Sequence, residues 1–179
     1  MRPIHAERLD LVPAAAHHVQ AAIEGTAPLA DALGVAVARG WPPEHLDEPA
    51  LRFIHGRIDE RPEDAEWWFY FVILRAVPLV VVGTAGYKGP PEGGAVEIGY
   101  SIVAEHRRRG YASEAARGLI ARAFARPEVT RVIAETVPEN VPSIGVLEKC
   151  GFVLIEGASE PGAIRFELPR SRWEAEDAG

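Results

Sequence analysis

Cysteine is nearly absent: Cys150 is the single one among 179 residues. One thiol cannot close a disulfide within the chain, so a packed core must hold the fold, and a reducing cytoplasm is the expected compartment. Metal-ligating patterns are also missing. The histidine pair His17 and His18 has no further ligands at useful spacing, and neighbours on a helix point in different directions, so no metal is expected. No apolar run approaches the ~20 residues that cross a bilayer, and no signal peptide opens the chain, so no membrane partner is expected. A basic excess is lacking as well. The net charge of −7 repels a polyphosphate backbone on average, and Arg107, Arg108 and Arg109 lack interleaved aromatics or a second basic patch. Nucleic acid is therefore not an expected partner.

What is present belongs to an ordinary globular chain, with 47% hydrophobic and 25% charged residues. The length predicts one domain over residues 1–179, with a core over about 7–168 and a frayed polar tail from about Glu174. "ERLDLVP" (7–13) alternates Leu9, Leu11 and Pro13 with polar partners and predicts a first strand. A helical region over 14–38 follows, broken near Gly25 and Pro28. After a Pro-rich loop comes a helix with Leu51, Ile54 and Ile58 on one face. Residues 67–89 and 95–103 predict three antiparallel strands, with turns near 76–78 and at "GPPEGG". The helix after Gly110 carries Ala112, Ala115, Ala116, Leu119, Ile120, Ala123 and Phe124 as one apolar stripe. A strand over 131–137 follows, then a short helix over 142–151 stopped by Gly151, then strands in "FVLIEG" and "AIRFELP". This order predicts an α+β fold: a mixed, mostly antiparallel central sheet flanked by helices.

The junction "EHRRRGYASEAARG" (105–118) carries most of the chemistry. A strand ends, a short loop follows, and a helix begins whose first amides have no helical partners. Such a start favours anions, by about 0.3–1 kcal/mol from the dipole and roughly 1.5–3 kcal/mol for each hydrogen bond to a charged acceptor. Gly110 allows close backbone approach, and Ala112 keeps the first turn uncrowded. A solvated arginine cluster before an ordinary helix is the competing explanation of this stretch.

Arg107, Arg108, Arg109, Gly110, Tyr111 and Ala112 fit the Arg/Gln-x-x-Gly-x-Gly/Ala signature of the GNAT superfamily of N-acetyltransferases. The flanking "VEIGYSI" and "ASEAARGLI" extend the resemblance, and "AETVPENVPSIGVLEKCGF" resembles the family's Asn-x-x-Ser/Ala helix ending in Glu-Lys-x-Gly-Phe. "ERLDLVP" looks like the first strand of the branch that acetylates ribosomal-protein N termini (RimJ/RimL-like) and aminoglycosides. The resemblance implies the acyl-CoA N-acyltransferase fold, acetyl-CoA as co-substrate, a primary amine as acceptor (a protein N terminus or a small amine), and a homodimer. It implies that the loop with Arg107, Arg108, Arg109, Gly110, Tyr111, Ala112 and Ser113 binds the pyrophosphate. Main chain at Ile102 and Val103 would pair with pantetheine where two central strands splay, and Asn140 and Ser143 would also meet the cofactor.

Acetyl transfer to an amine needs a base, because a lysine-type amine costs about 4.6 kcal/mol to deprotonate at pH 7, whereas an α-amine costs only ~1–1.4 kcal/mol. Glu97 shares a strand face with Gly99 and Ser101, opposite Val96, Ile98, Tyr100 and Ile102. By resemblance it is the first candidate base, with an ordinary outward glutamate as the alternative. Glu135 on the next strand is the second candidate, or else a strand-pairing carboxylate. Leu147 stands where many family members place an acid tyrosine. Ser143, one turn earlier, is the remaining candidate to hydrogen-bond the departing sulfur, or else a helix-start residue. Asn140 resembles the family asparagine that contacts the cofactor, with helix capping as an alternative compatible with that contact. Tyr100 reads as core, and Cys150 lacks a local histidine that would make it an acyl carrier. Trp41, His45, Trp67, Trp68 and Lys88 lie in segments that wall the amine pocket in the family, although each is explicable as structural. The missing tyrosine leaves a second outcome: a degenerate domain that binds acyl-CoA as a sensor or interaction module.

Overall fold

Alternation in residues 9–13 buries Leu9, Leu11 and Pro13 on one side, and the segment forms a strand in the computed structural model, which describes residues 2–177. It is preceded by a short strand, so β1 is Ile4–His5 and β2 is Leu9–Pro13. The predicted helical region is two helices, α1 (Ala16–Glu24) and α2 (Thr26–Leu33). The break falls at Gly25 alone, whose φ of 130° suits no side-chain-bearing residue. Pro28 sits in the first turn of α2, where its missing N–H removes no helical bond. After α2 the chain adds a two-residue strand, β3 (Ala36–Val37), where helix was expected. The third helix, α3 (Glu48–Glu60), starts at Asp47, which caps the Ala50 N–H at 2.9 Å.

The three strands expected in the middle are β4 (Phe69–Leu74), β5 (Val80–Tyr87) and β6 (Ala95–Ile102). The apolar stripe becomes α4 (Tyr111–Phe124), followed by β7 (Arg131–Thr136), α5 (Val141–Lys149), β8 (Val153–Ile155) and β9 (Ile164–Pro169). The expected frayed tail is instead helix α6 (Arg170–Asp177), with Trp173 stacked near Phe124 at 6.2 Å; residues 178–179 of that tail lie outside the described residues.

The strands form one sheet in the order β1-β2-β4-β5-β6-β7-β9-β8, with β3 beside the first residues of β5. Pairing is antiparallel except at β3–β5 and β6–β7. One face packs against α4 and α5, burying Tyr70, Val82, Ile98, Leu119, Ile120 and Leu147. The other packs against α1 to α3, burying Val19, Leu29, Leu51, Phe69, Phe71 and Val81. Where chain segments approach most closely, glycine stands in place of a side chain. A Cβ on Gly83 or Gly86 would collide with the carbonyl of Ser101 or Trp68, and one on Gly118 would lie 3.1 Å from Ile4. Glu66 fixes the 3-10 segment Pro62–Trp67 to α4 through Arg122 and Arg126, each at 2.6 Å.

One topological detail positions the site. β6 and β7 pair only from Ala95↔Arg131 to Glu97↔Ile133. Beyond that point β6 stays on β5 as far as Ile102, while β7 follows β9 to Thr136↔Ile164. A wedge opens between two adjacent parallel strands.

Candidate active site

Strand geometry decides which groups border the wedge. The Glu97 carbonyl accepts from Lys88 N–H (2.9 Å) and the Val103 N–H donates to Val82 (3.0 Å), so odd-numbered residues of β6 turn their main chain to β5. Ile98, Tyr100 and Ile102 therefore turn theirs toward the wedge. The Ile102 carbonyl is already taken by Arg107 Nε at 2.8 Å, and the Val103 carbonyl by His106 N–H at 3.0 Å. Val103 has both main-chain groups bonded within the fold, whereas Ile102 turns its N–H toward the wedge and its carbonyl accepts one hydrogen bond, from Arg107. Tyr100 contributes the open edge instead.

At the wide end of the wedge a 3-10 turn (Ala104–His106) leads into the loop. Arg108 (φ 59°) and Gly110 (φ 83°) are both left-handed, which reverses successive peptides and gathers amides on one concave side. The first helical bond of α4 runs from Glu114 N–H to the Gly110 carbonyl (3.0 Å), so the amides of Tyr111, Ala112 and Ser113 precede it without helical acceptors. A cradle of this kind fits a pyrophosphate. Arg107 does not point into it. Its guanidinium bridges the Ile102 carbonyl and Glu44 (2.9 Å), and so ties the loop after Trp41 across the strand end. This pairing holds the Glu44 carboxyl below the usual range. Arg109 donates to the Glu105 carbonyl at 3.2 Å, and the Arg108 side chain is exposed.

Glu97 lies where expected, on the face with Gly99 and Ser101. The cross-strand row Phe71↔Thr84↔Ser101 identifies this as the face covered by α1 to α3, and Ser101 Oγ donates to the Glu44 carbonyl at 3.1 Å. The Glu97 side chain is 15% exposed, and its Oε1 is buried and met only by the Lys88 ammonium, in an ion pair without hydrogen-bond alignment. Lys88 is itself 62% exposed.

Glu135 is placed differently. Its side chain is 7% exposed and accepts from Arg165 Nε (2.6 Å) and from the Ser159 N–H (2.8 Å) and hydroxyl. Burial by itself raises its pKa, but the Ser159 and Arg165 hydrogen bonds outweigh that and hold it low. Glu135 thus clamps the 156–163 loop onto β7 and β9. A depressed folded-state pKa stabilises at neutral pH, and the contribution is lost as acid titrates the folded carboxylate. Glu135→Gln is expected to lower stability by about 1–3 kcal/mol at pH 7. The difference from wild type should shrink below the ordinary carboxylate range of ~4.3, which urea melts at pH 7 and pH 3 check. Equal differences at both pH values would count against the clamp.

On the other side of the wedge, Asn140 caps α5 by accepting from Ser143 N–H at 3.3 Å. The Tyr100 hydroxyl reaches the same turn, 3.5 Å from Ser143 Oγ and 3.4 Å from its carbonyl. Burial pushes the phenol up to about 12, against the opposing Ser143 contact, so Tyr100 stays protonated and able to donate. Leu147 is 1% exposed and packs within the core. Cys150 is buried as well, with Sγ 3.8 Å from the Ser113 carbonyl. Among the expected wall residues, Trp67 belongs to the core against Tyr87 (5.0 Å), and Trp68 packs on Phe53 (6.0 Å). Trp41 stacks near Phe71 (6.0 Å) and lines a cavity of about 280 Å³ beside α1 and α2. His18 accepts from the Ala15 N–H (3.2 Å) at the start of α1, a capping role; burial and then His17 lower its pKa. No group of three or more metal-ligating side chains occurs among the described residues. Nor is any described helix long and apolar enough to cross a membrane.

The residues that sequence reading missed are Arg8 and Glu114. Glu114 accepts from Arg8 N–H (2.6 Å), Arg8 Nε (2.8 Å) and Leu9 N–H (3.1 Å). An acidic residue in a first helical turn is explained locally by the helix dipole, so nothing in the sequence links it to an arginine so far upstream.

A splayed parallel pair beside an amide-lined helix start, within this sheet order, defines the acyl-CoA N-acyltransferase fold. The chain belongs to the GNAT acetyltransferase family, whose domain model matches residues 8–153. It is 38% identical over 91 residues to the uncharacterized N-acetyltransferase YjdG of Bacillus subtilis (strain 168), covering 50% of this chain and 54% of that protein. The chain spans about half the length of the curated relatives it matches. Its fold is shared with ribosomal-protein-S5-alanine acetyltransferase from Vibrio fischeri (18% identity, TM-score 0.67, 97% of this chain and 99% of that one). It is shared equally with RimL, a ribosomal L7/L12 α-N-protein acetyltransferase in complex with coenzyme A (18%, TM-score 0.66, 94% and 98%).

Proposed function

We propose that the chain is an acetyl-CoA-dependent N-acetyltransferase that acts on a primary amine, a protein N terminus or a small amine, with residues 7–168 as one catalytic domain. The observation that carries this reading is the wedge itself. It has an amide cradle at its wide end (108–113), a carboxylate on one face (Glu97), and a hydroxyl pair on the other (Tyr100 and Ser143). Acetyl-CoA supplies the acyl group as a thioester. In this reading the amides at 108–113 bind its pyrophosphate, and the main chain of Tyr100 with the Ile102 N–H pairs with the pantetheine amides. Glu97 accepts a proton from the attacking amine after Lys88 swings aside. The C–N bond forms as the C–S bond breaks, and Ser143, its hydroxyl oriented by Tyr100, hydrogen-bonds the departing thiolate. This arrangement needs no tyrosine at Leu147. Glu135 is assigned to loop anchoring rather than proton transfer.

Residues 14–66, which cover the Glu97 face, hold ten acidic and four basic residues. That balance favours cationic amines approaching from this side. The test is release of free thiol from acetyl-CoA over a panel of basic peptides and small polyamines. Turnover on any member supports the reading. Binding of acetyl-CoA without turnover across the panel favours the sensor that Leu147 suggests, and absence of both overturns the assignment.

A further inference from the structure

Arg8 sits in the turn between β1 and β2, far from the cradle in sequence, yet its side chain is built into it. Arg8 Nη1 donates to the Arg109 carbonyl at 3.0 Å, while Nε and Nη2 grip Glu114 Oε2, both at 2.8 Å. The guanidinium lies over the Tyr111 ring, 4.8 Å from its centroid. Its Nη2 would stand 3.3 Å from a Cβ on Gly110. Arg8 therefore fills the space that glycine leaves free.

Peptide planarity gives these contacts a consequence. The Arg109 carbonyl and the Gly110 N–H belong to one trans peptide and point in opposite directions. Holding that carbonyl on Arg8 aims the Gly110 N–H away from the protein, into the concave side of the loop. Glu114 neutralises the guanidinium and fixes its plane, so Arg8 acts by geometry rather than by charge. We propose that Arg8 is a positioning residue for the cofactor's pyrophosphate, presetting the 109–110 peptide that would otherwise be free to flip; this rests on the acetyl-CoA reading above.

The alternative is a simple staple between β2 and α4, which affects all ligands alike. The experiment compares Arg8→Ala with wild type for two thioesters: acetyl-CoA, and S-acetyl-pantetheine, which lacks the pyrophosphate. Binding is read by calorimetry, turnover by thiol release, and folding by circular dichroism. The expected result is acetyl-CoA binding weakened by about tenfold to a hundredfold, the contribution of one hydrogen bond to a charged acceptor. The KM for S-acetyl-pantetheine should stay within about twofold of wild type. Should Arg8→Ala not fold, Arg8→Lys carries the same comparison, because one ammonium can keep Glu114 but cannot also hold the Arg109 carbonyl in a fork. Equal loss with both thioesters, or none with either, overturns the proposal. Wild type that fails to bind acetyl-CoA removes the underlying function instead, so the two failures are distinguishable.

Discussion

Gly110→Asp is expected to weaken acetyl-CoA binding by about 10² or more while leaving the fold intact. Three effects act in the same direction. The residue has φ 83° and ψ −1°, a left-handed conformation that costs a side-chain-bearing residue roughly 1–2 kcal/mol. The new carboxylate stands beside the amides proposed to bind the pyrophosphate, where like charges repel. It also lies within reach of Arg8, whose Nη2 is 3.3 Å from the Cβ position, and draws that side chain off the Arg109 carbonyl. Losing two hydrogen bonds to a charged acceptor amounts to about 3–6 kcal/mol, ahead of the backbone strain. Gly110→Ala isolates the strain and should be several-fold milder. Calorimetry with acetyl-CoA decides the matter: unchanged affinity in Gly110→Asp means that the cradle is not the phosphate site.

Glu97→Gln should lower kcat/KM in proportion to how protonated the acceptor is. For a lysine-type amine near pH 7 the loss should approach 10²–10³, since the removed base had to overcome about 4.6 kcal/mol. For an α-amine, which requires only ~1–1.4 kcal/mol, about tenfold is expected. Raising the pH toward the amine's own pKa should shrink both deficits, because solvent then performs the deprotonation. The variant keeps the side-chain shape and loses the Lys88 ion pair, so a circular-dichroism control separates chemistry from folding. Full activity at pH 7 on every amine would eliminate Glu97 as the base.

Local pattern carried much of the architecture. The alternation in 9–13, the apolar stripe of α4, Gly25 and Gly151 each act within a few residues, and the elements fall where these signals lie. β1, β3 and α6 are short segments whose structure depends on a neighbour: β3 exists only because β5 offers an edge that β6 has not yet reached. The tail folds because Trp173 has a core to lie on.

The same division runs through the site. By itself the sequence determined the glycine-centred turn at 107–112 and the facing of Glu97 with Ser101, and it offered Asn140 as a cap for α5. Each follows from backbone conformations and side-chain periods that extend over six residues or so. Only the tertiary structure decided that Arg107 holds a loop rather than facing the cradle, and that Glu135 is consumed by Ser159 and Arg165. It alone brought the Tyr100 hydroxyl to Ser143 and seated Arg8 behind Gly110. These contacts join residues tens to over a hundred positions apart, and their partners are fixed by strand order and register, which no local period encodes.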